Sequence, residues 1–157
     1  GAASIMLHDM LRRILRNMDL SENEIDESIY DAMLLSVDVA HALHPNKKEK
    51  MDITNKPVMG KGFCIKQACS QSYATDAQAI AILCQLCDEK GIPYQRFVNR
   101  SDSRGGSTLG SIAGTLLPVK TVDIGIPILA MHSACELMGV RDMKALSDCV
   151  TAFFGYH

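Results

Sequence analysis

The first forty residues change from helical to strand-like spacing of their apolar side chains. In the opening stretch, apolar residues recur every three or four positions and arginines occupy the other face, which predicts an amphipathic helix. Its apolar positions are Met6, Leu7, Met10, Leu11, Ile14, Leu15 and Met18. Ser21 and Glu24 have the spacing of a capping box and predict a second helix, with Ile25 and Ile29 on its apolar side. The run MLLSV then predicts a fully buried strand that ends at Asp38.

The middle of the chain carries two more strand patterns with a helix between them. Residues 45–61 are a polar loop, and GFCIKQA after it is the next predicted strand. Thr75 or Asp76 caps the following helix, which ends at Gly91 and the proline after it. The stretch YQRFVN at 94–99 predicts another strand.

The last third of the chain repeats the alternation. The loop RSDSRGGSTLG leads into a helix of small residues that ends at Leu117, and VKTVDIGI predicts a strand. ILAMHS leads into one short helix, and the final amphipathic helix carries Met143, Leu146, Val150, Phe153 and Phe154. Alternating strands and helices predict an α/β fold with a mainly parallel or mixed sheet. Sites in such folds form beyond the carboxyl ends of strands, where Asp38, the glycine-rich loop and His132 fall.

Composition is that of one globular domain with nearly balanced charge. Of its 157 residues 47% are apolar and 22% charged, with 16 Lys and Arg against 18 Asp and Glu. This balance gives no electrostatic case for nucleic acid or membrane as partner. The chain has no apolar run of the ~20 residues that a membrane span needs, and its first residues lack the order of a secretory signal. We expect a cytoplasmic protein.

Cysteine usage agrees with a reducing compartment. The cysteines are Cys64, Cys69, Cys84, Cys87, Cys135 and Cys149. Because each has apolar neighbours, we expect reduced and mostly buried thiols. Cys84 and Cys87 form a CxxC pair, which occurs in redox and zinc sites, but no second pair follows it. Their place inside a helical pattern favours a core role.

A carboxylate and several imidazoles are the first candidates for chemistry. Asp38 follows a buried position, so its carboxylate is costly to desolvate unless it is paired or metal-bound; a helix cap is the alternative. His132 lies among apolar residues and is either a hydrogen-bonded core imidazole or a metal ligand. His41 and His44 would share a face if the chain were helical, but the sequence HPN breaks a helix, which favours substrate contact over a metal pair.

The glycine-rich segment RGGSTLG, residues 104–110, combines glycines, hydroxyls and backbone N–H groups at a predicted helix start. Such an arrangement binds an anion or a carbonyl oxygen. It lacks the Walker lysine and the GxGxxG spacing, which disfavours nucleotide binding. The residues alone therefore predict an α/β domain with a candidate metal or anion site.

Five motifs, in order along nearly the whole chain, resemble the M18 family of metalloaminopeptidases. They are SVDVAHALHPN, YATDAQAIAIL, RSDSRGGSTLG, TVDIGIPILAMHSACELMG and the terminal TAFF. The resemblance implies a three-layer α/β sandwich of the zinc-peptidase type. It also implies an exopeptidase with two Zn²⁺ ions per complete site, or Co²⁺ or Mn²⁺ in their place. Many members prefer substrates with an acidic first residue.

The resemblance further implies roles for individual residues. Asp38 and His132 correspond to ligands of two different zinc ions. His41 corresponds to a residue on the substrate side, and Lys66 to a lysine that meets an acidic substrate side chain. The loop that borders the substrate backbone corresponds to Gly106, Ser107 and Thr108.

Other parts of the family pattern are not identifiable in this sequence. The family also has an N-terminal His ligand, a bridging Asp and a Glu-Glu pair that supplies the general base, whereas this chain contains no Glu-Glu dipeptide. The resemblance thus implies that residues 1–157 are a C-terminal part of a catalytic domain, without a catalytic residue of its own. Catalytic zinc sites use about three protein ligands each, so we expect the chain alone to be inactive.

Two functional hypotheses follow for such a part of an enzyme. In the first, peptides are its substrates and a homo-oligomer or a complementing chain completes the site. In the second, the chain is an inactive structural or assembly fragment of the same fold, and Asp38 and His132 make ordinary hydrogen bonds.

Overall fold

The fold is a five-stranded sheet with helices against it. The computed structural model describes residues 3–103 and 105–155. The helices are α1 (Met6–Asn17), α2 (Glu22–Asp31), α3 (Ala77–Lys90), α4 (Leu109–Ala113) and α5 (Val140–Phe154), with a 3₁₀ turn at Lys48–Lys50. The strands are β1 (Met33–His41), β2 (Phe63–Gln67), β3 (Tyr94–Val98), β4 (Lys120–Leu129) and β5 (Leu137–Met138). Within this part of the chain, the helices fall short of the length and apolar character that a bilayer span requires.

The sheet is mixed, and β4 is its central strand. Its order is β1-β4-β2-β3, and β5 pairs with the end of β4. β1 runs parallel to β4 and β2 runs parallel to β3, whereas β2 and β5 are antiparallel to β4. The predicted α/β fold with a mainly parallel or mixed sheet is confirmed in its mixed form.

The main hydrophobic core lies on one face of the sheet. Alternate strand residues such as Ile65, Val122 and Ile124 pack there against α3 and α5, which contribute Leu83 and Leu146. Alternation follows from the two-residue period of a strand. Full burial of each Ile or Leu contributes about 1.5–3 kcal/mol, so this face holds the helices in place.

The opposite face of the sheet is polar at its centre. Ser36, Asp123, Lys66 and Phe97 stand in register across β1, β4, β2 and β3. The first three are buried polar residues, which are costly to desolvate unless they are paired. The candidate functional residues lie on this polar face.

Helix boundaries that depend on local capping are predicted correctly. The Ser21 hydroxyl accepts from the Glu24 N–H, and the Glu24 carboxylate accepts from the Ser21 N–H. Asp76 caps α3, because its carboxylate accepts from the Ala79 N–H at 2.8 Å. α3 ends at the predicted Gly91.

Three other predicted boundaries are wrong. β1 does not end at Asp38 but continues to His41, because it pairs with β4 residue by residue up to Ile128. The helix of small residues ends at Ala113 and continues only as turns towards Leu117. The short helix expected after ILAMHS is instead the strand β5, which pairs with the last residues of β4.

The cysteines are free thiols, and the CxxC pair belongs largely to the core. Cys64, Cys87 and Cys149 are buried and Cys84 is half-buried, whereas Cys69 and Cys135 are exposed. The Cys87 Sγ lies 3.9 Å from the Cys149 Sγ, and this contact and burial raise the pKa of Cys87. A raised pKa disfavours the thiolate that redox chemistry needs.

α1 is attached to α2 through charged contacts and a small apolar cluster. Leu11 and Leu15 pack near Ile25 and Ile29, while much of the apolar face of α1 stays exposed, including Met6, Met10, Ile14 and Met18. Arg12 bonds Asp26 and Glu22, and the Arg16 Nε lies 2.7 Å from the Glu22 Oε1.

We expect Glu22→Gln to weaken this attachment at neutral pH and to have a much smaller effect at pH 2. Hydrogen bonds from Arg16 and Arg12 lower the Glu22 pKa from 4.5 to about 2. A carboxylate with a lowered pKa stabilises the folded state above its unfolded pKa, and this contribution is lost as the pH falls through 4.5 towards 2. Thermal unfolding midpoints of both proteins between pH 7 and pH 2 test this. Glu27→Gln on an exposed part of α2 is the control, and a midpoint difference that is as large at pH 2 as at pH 7 would contradict the prediction.

Candidate functional site

A small pocket on the polar face brings together most residues that the sequence singles out. Its volume is about 220 Å³. Among the residues that line it are Asp38, His41, Lys66, Gly106, Ser107 and His132. β1, β2 and the segments 106–107 and 131–132 therefore meet at one place. Thr108 does not line this small pocket.

Asp38 reaches the small pocket from within β1. Its side chain is 53% exposed, so the carboxylate is open to a ligand. Asp38 stands in register with Gly125 of β4. A Cβ at Gly125 would lie 2.8 Å from the Val39 carbonyl carbon, which is closer than packed atoms permit. The glycine therefore allows β4 to approach the backbone that carries Asp38.

Lys66 places a buried ammonium group next to that carboxylate. The residue is 3% exposed, its Nζ donates to the Val39 carbonyl at 3.0 Å, and the Asp38 Oδ2 lies 3.7 Å away. The Nζ also stands 4.7 Å from the centre of the Tyr73 ring. Burial lowers the pKa of Lys66, while the charges of Asp38 and Asp123 oppose this shift. A buried cation of this kind is a strong partner for a carboxylate.

The two histidines of the small pocket differ in how the backbone holds them. His41 is the last residue of β1, and burial, followed by the charges of Lys66 and His132, lowers its pKa. It is therefore neutral at pH 7. His132 follows β4 with a φ of +67°, and its N–H donates to the Glu136 carboxylate. A positive φ costs a residue with a side chain about 1–3 kcal/mol, which the surrounding contacts must offset.

Thr108 is buried next to Ser107 in the chain and anchors the loop. It is 4% exposed, and its hydroxyl donates to the Asp123 Oδ2 at 2.6 Å. The same carboxylate accepts from the Ala74 N–H. Among the described residues, the Asp123 Oδ1 has no hydrogen-bond partner. Asp123 thus ties the glycine-rich loop and the segment around Tyr73 to the sheet.

Pattern reasoning misses several residues of the small pocket, among them Tyr73, Phe97 and Met131. The Tyr73 and Phe97 ring centres are 6.0 Å apart, and the Asn99 Nδ2 lies 3.0 Å from the Tyr73 hydroxyl. An aromatic residue inside the small polar turn QSYATD is a signal that sequence reasoning can use. Phe97 could be found only through its register with Lys66.

His44 lies outside the small pocket and lines a larger neighbouring one. Its Nδ1 accepts from the Asn46 N–H at 3.1 Å, so it stabilises the turn that HPN begins. Because His41 belongs to a strand, the two imidazoles do not share a helical face. The less favoured alternative, a metal pair on one helical face, does not match this backbone.

The family model described as Aminopeptidase I zinc metalloprotease (M18) matches residues 1–154. The chain belongs to the M18 aminopeptidase family. The resemblance seen in the motifs is therefore confirmed along almost the whole chain.

Curated M18 relatives match this chain over most of its length. The "Probable M18 family aminopeptidase 2" of Clostridium novyi (strain NT) is 47% identical over 142 residues, which cover 90% of this chain and 33% of that protein. The protein of the same name from Clostridium acetobutylicum is 44% identical over 154 residues, covering 98% of this chain and 36% of that protein. The chain thus spans about a third of the length of these relatives.

Solved M18 structures share the fold. A chain in the cryo-EM structure of the Ape4 and Nbr1 complex superposes with a TM-score of 0.92 at 34% identity, over 98% of this chain and 29% of that one. The M18 aminopeptidase of Thermotoga maritima superposes with a TM-score of 0.85 at 24% identity, over 97% of this chain and 35% of that one. At that lower identity the likeness establishes the fold.

The donor set of the small pocket fits part of an M18 zinc site. Asp38 offers a half-exposed carboxylate and His132 an imidazole, which are both usual zinc ligands. Within 3–103 and 105–155, no group of three His, Cys, Asp or Glu side chains is placed to hold a metal ion. A complete site therefore needs ligands beyond these two.

Proposed function

We propose that the chain is part of an M18 aminopeptidase that releases N-terminal residues, preferably Asp or Glu, at a site for two zinc ions. The observation that carries the proposal is the meeting of Asp38, His132 and Lys66 around one small pocket. Asp38 and His132 would each bind a different zinc ion. Lys66 would bind the acidic side chain of the first residue, because its buried ammonium group lies beside the small pocket.

Each part of the small pocket has a task in this mechanism. Bound zinc would polarise the scissile carbonyl and lower the pKa of a water molecule. Gly106 and Ser107 border the substrate backbone and limit how it can lie in the small pocket. Neutral His41 is a hydrogen-bond partner for the substrate, and Asp123 holds the loop through Thr108. Together these residues orient the peptide, which is a large part of the catalytic effect.

The proposal includes the parts that this chain does not supply. A second segment or chain would bring the general base and the remaining ligands, so residues 1–157 alone would be inactive. A homo-oligomer is supported by a relative in fold, the S. cerevisiae mApe1 dodecamer, which superposes with a TM-score of 0.84 at 23% identity. The free thiols favour a reducing, cytoplasmic setting.

Asp38→Asn is the direct test of the proposed zinc site. In the protein purified with its accompanying chains, we expect loss of one zinc ion and a fall of more than about a hundredfold in N-terminal residue release, because outer-shell changes alone cost 10–100-fold. Metal content by mass spectrometry and chromatography of released amino acids measure both effects. Asp148→Asn on the exposed side of α5 is the control.

The same experiment separates the proposal from the inactive assembly fragment. Under that alternative, the purified protein contains no zinc and releases no amino acids, and Asp38→Asn changes neither result. A protein with zinc and activity that both survive Asp38→Asn would overturn the assignment of this ligand.

A further inference from the structure

A second, larger pocket adjoins the small one. Its volume is about 640 Å³, and it shares four lining residues with the small pocket: His41, Tyr73, Phe97 and Gly106. The two spaces therefore meet along a common wall. A peptide whose first residue occupied the small pocket would have to pass His41 and Gly106 to reach the larger one.

The lining of the larger pocket is positively charged, although the whole chain has a net charge of −2. Lys47, Lys50 and Arg100 line it, and its described lining includes no Asp or Glu. Arg100 is already engaged, because its Nε lies 2.7 Å from the Asp102 Oδ1 and it also donates to the Glu49 carbonyl. Among the described residues of this lining, Lys47 and Lys50 are thus the lysine and arginine side chains without an ion pair.

The loop that carries these lysines is held at several points. The Arg100 side chain bonds the Glu49 carbonyl between the two lysines, and the Lys50 N–H donates to the Lys47 carbonyl at 3.2 Å. Below them, Met51, Tyr73 and Phe97 form an apolar part of the wall. A held loop presents its charges at a lower entropic cost than a free one.

We propose that the larger pocket binds a carboxylate carried by the peptide beyond its first residue, with Lys47 and Lys50 as its partners. The inference rests on the proposed function, because the peptide direction assumes that the first residue occupies the small pocket beside Lys66. The apolar walls contact the substrate side chains, and the two ammonium groups form ion pairs with the carboxylate. The carboxylate is either the C-terminus of a short peptide or an acidic side chain.

Direct binding of matched peptides tests this inference. The zinc-loaded protein with its accompanying chains is used, the first peptide bond of each peptide is replaced by an uncleavable CH₂–NH link, and dissociation constants are measured by calorimetry. We expect Asp-Ala-Ala to bind at least roughly fivefold more tightly than its C-terminal amide. Exposed charge pairs contribute about 1 kcal/mol, which corresponds to this ratio of dissociation constants. A second comparison, between the dissociation constants of Asp-Glu-Ala amide and Asp-Gln-Ala amide, tests whether an acidic side chain supplies the carboxylate. A preference in one pair identifies the source of the carboxylate.

The lysine pair is tested by Lys47→Met with Lys50→Met, and Lys61→Met is the control on an exposed loop position. We expect the double variant to lose the preference for the charged peptide and the control to keep it. The ratio within one protein is compared, so a general loss of folded protein does not imitate the result. Equal binding of charged and neutral peptides by the unchanged protein would overturn the inference, and so would a preference that survives in the double variant.

The proposed function can fail separately. If N-acetylated Asp-Ala-Ala binds as tightly as the free peptide and still prefers its carboxylate form, the aminopeptidase proposal fails. In that case the anion-binding role of Lys47 and Lys50 stands.

Discussion

Asp142→Ala is expected to lower the free energy of unfolding by about 3 kcal/mol, since two backbone N–H groups lose a buried charged acceptor. Asp142 is fully buried in the first turn of α5. Its Oδ2 accepts from the Gly60 N–H at 2.6 Å and its Oδ1 from the Gly62 N–H at 2.7 Å. The negative charge at the start of α5 adds a favourable interaction with the helix dipole.

The turn that Asp142 holds cannot rearrange freely to replace these bonds. Gly62 has a φ of +101°, and a Cβ at this position would lie 2.1 Å from the Pro93 carbonyl oxygen. The backbone is therefore packed closely against the residue before β3. Because β2 begins at Phe63, the carboxylate fixes the entry of the strand that carries Lys66.

Denaturant unfolding with Asp148→Ala as control measures this effect. Asp148 lies on the same helix and makes an exposed ion pair with Lys144, so its removal is expected to cost less than about 1 kcal/mol. A loss of similar size in the two variants would show that the buried bonds of Asp142 contribute little.

The helices could be predicted from the sequence because their signals are local. The capping box at Ser21 and the cap at Asp76 involve residues three positions apart, so both are visible in a short window. The end of β1 is misplaced at Asp38 because strand length depends on the partner, and the partner of Met33 in β4 is Lys120, which is 87 residues away in the sequence. The strand β5 is not predicted for the same reason, because only its pairing with β4 defines it as a strand.

The functional site depends even more on contacts between distant segments. Pattern reasoning left Asp38 and His132 undecided between ligand and core roles, because a single carboxylate or imidazole has the same local sequence in either case. Lys66 was identified only through the resemblance to the M18 family. Asp123 had no signal in its strand pattern, although its carboxylate connects the loop at Thr108 to the sheet.

Lys66→Met is expected to separate acidic specificity from the rest of the site. In the active assembly, kcat/KM for substrates that begin with Asp or Glu should fall about a hundredfold, as loss of a buried partner to a charge costs 2–5 kcal/mol. Substrates that begin with Leu should change by no more than about twofold, because they make no ion pair with the ammonium group. Rates of release from matched Asp, Glu and Leu peptides measure the difference, with Lys61→Met as control.

Folding stability distinguishes this role of Lys66 from a structural one. Met has nearly the same length and needs no hydrogen bond, so the variant avoids the cost of burying an ammonium group. The bond to the Val39 carbonyl and the weak 3.7 Å contact with Asp38 are lost in exchange. We therefore expect Lys66→Met to unfold at the same denaturant concentration as the unchanged protein or at a higher one.

The two measurements together decide what the buried lysine is for. Equal losses with Leu and Asp substrates, or a clear loss of stability, would mean that Lys66 holds the sheet and the Asp38 backbone in place. A loss of kcat/KM that is confined to Asp and Glu substrates, without a loss of stability, would mean that the buried charge of Lys66 does not stabilise the fold. Such a charge would serve what binds to it, and under the proposed function that is the acidic first residue of a peptide.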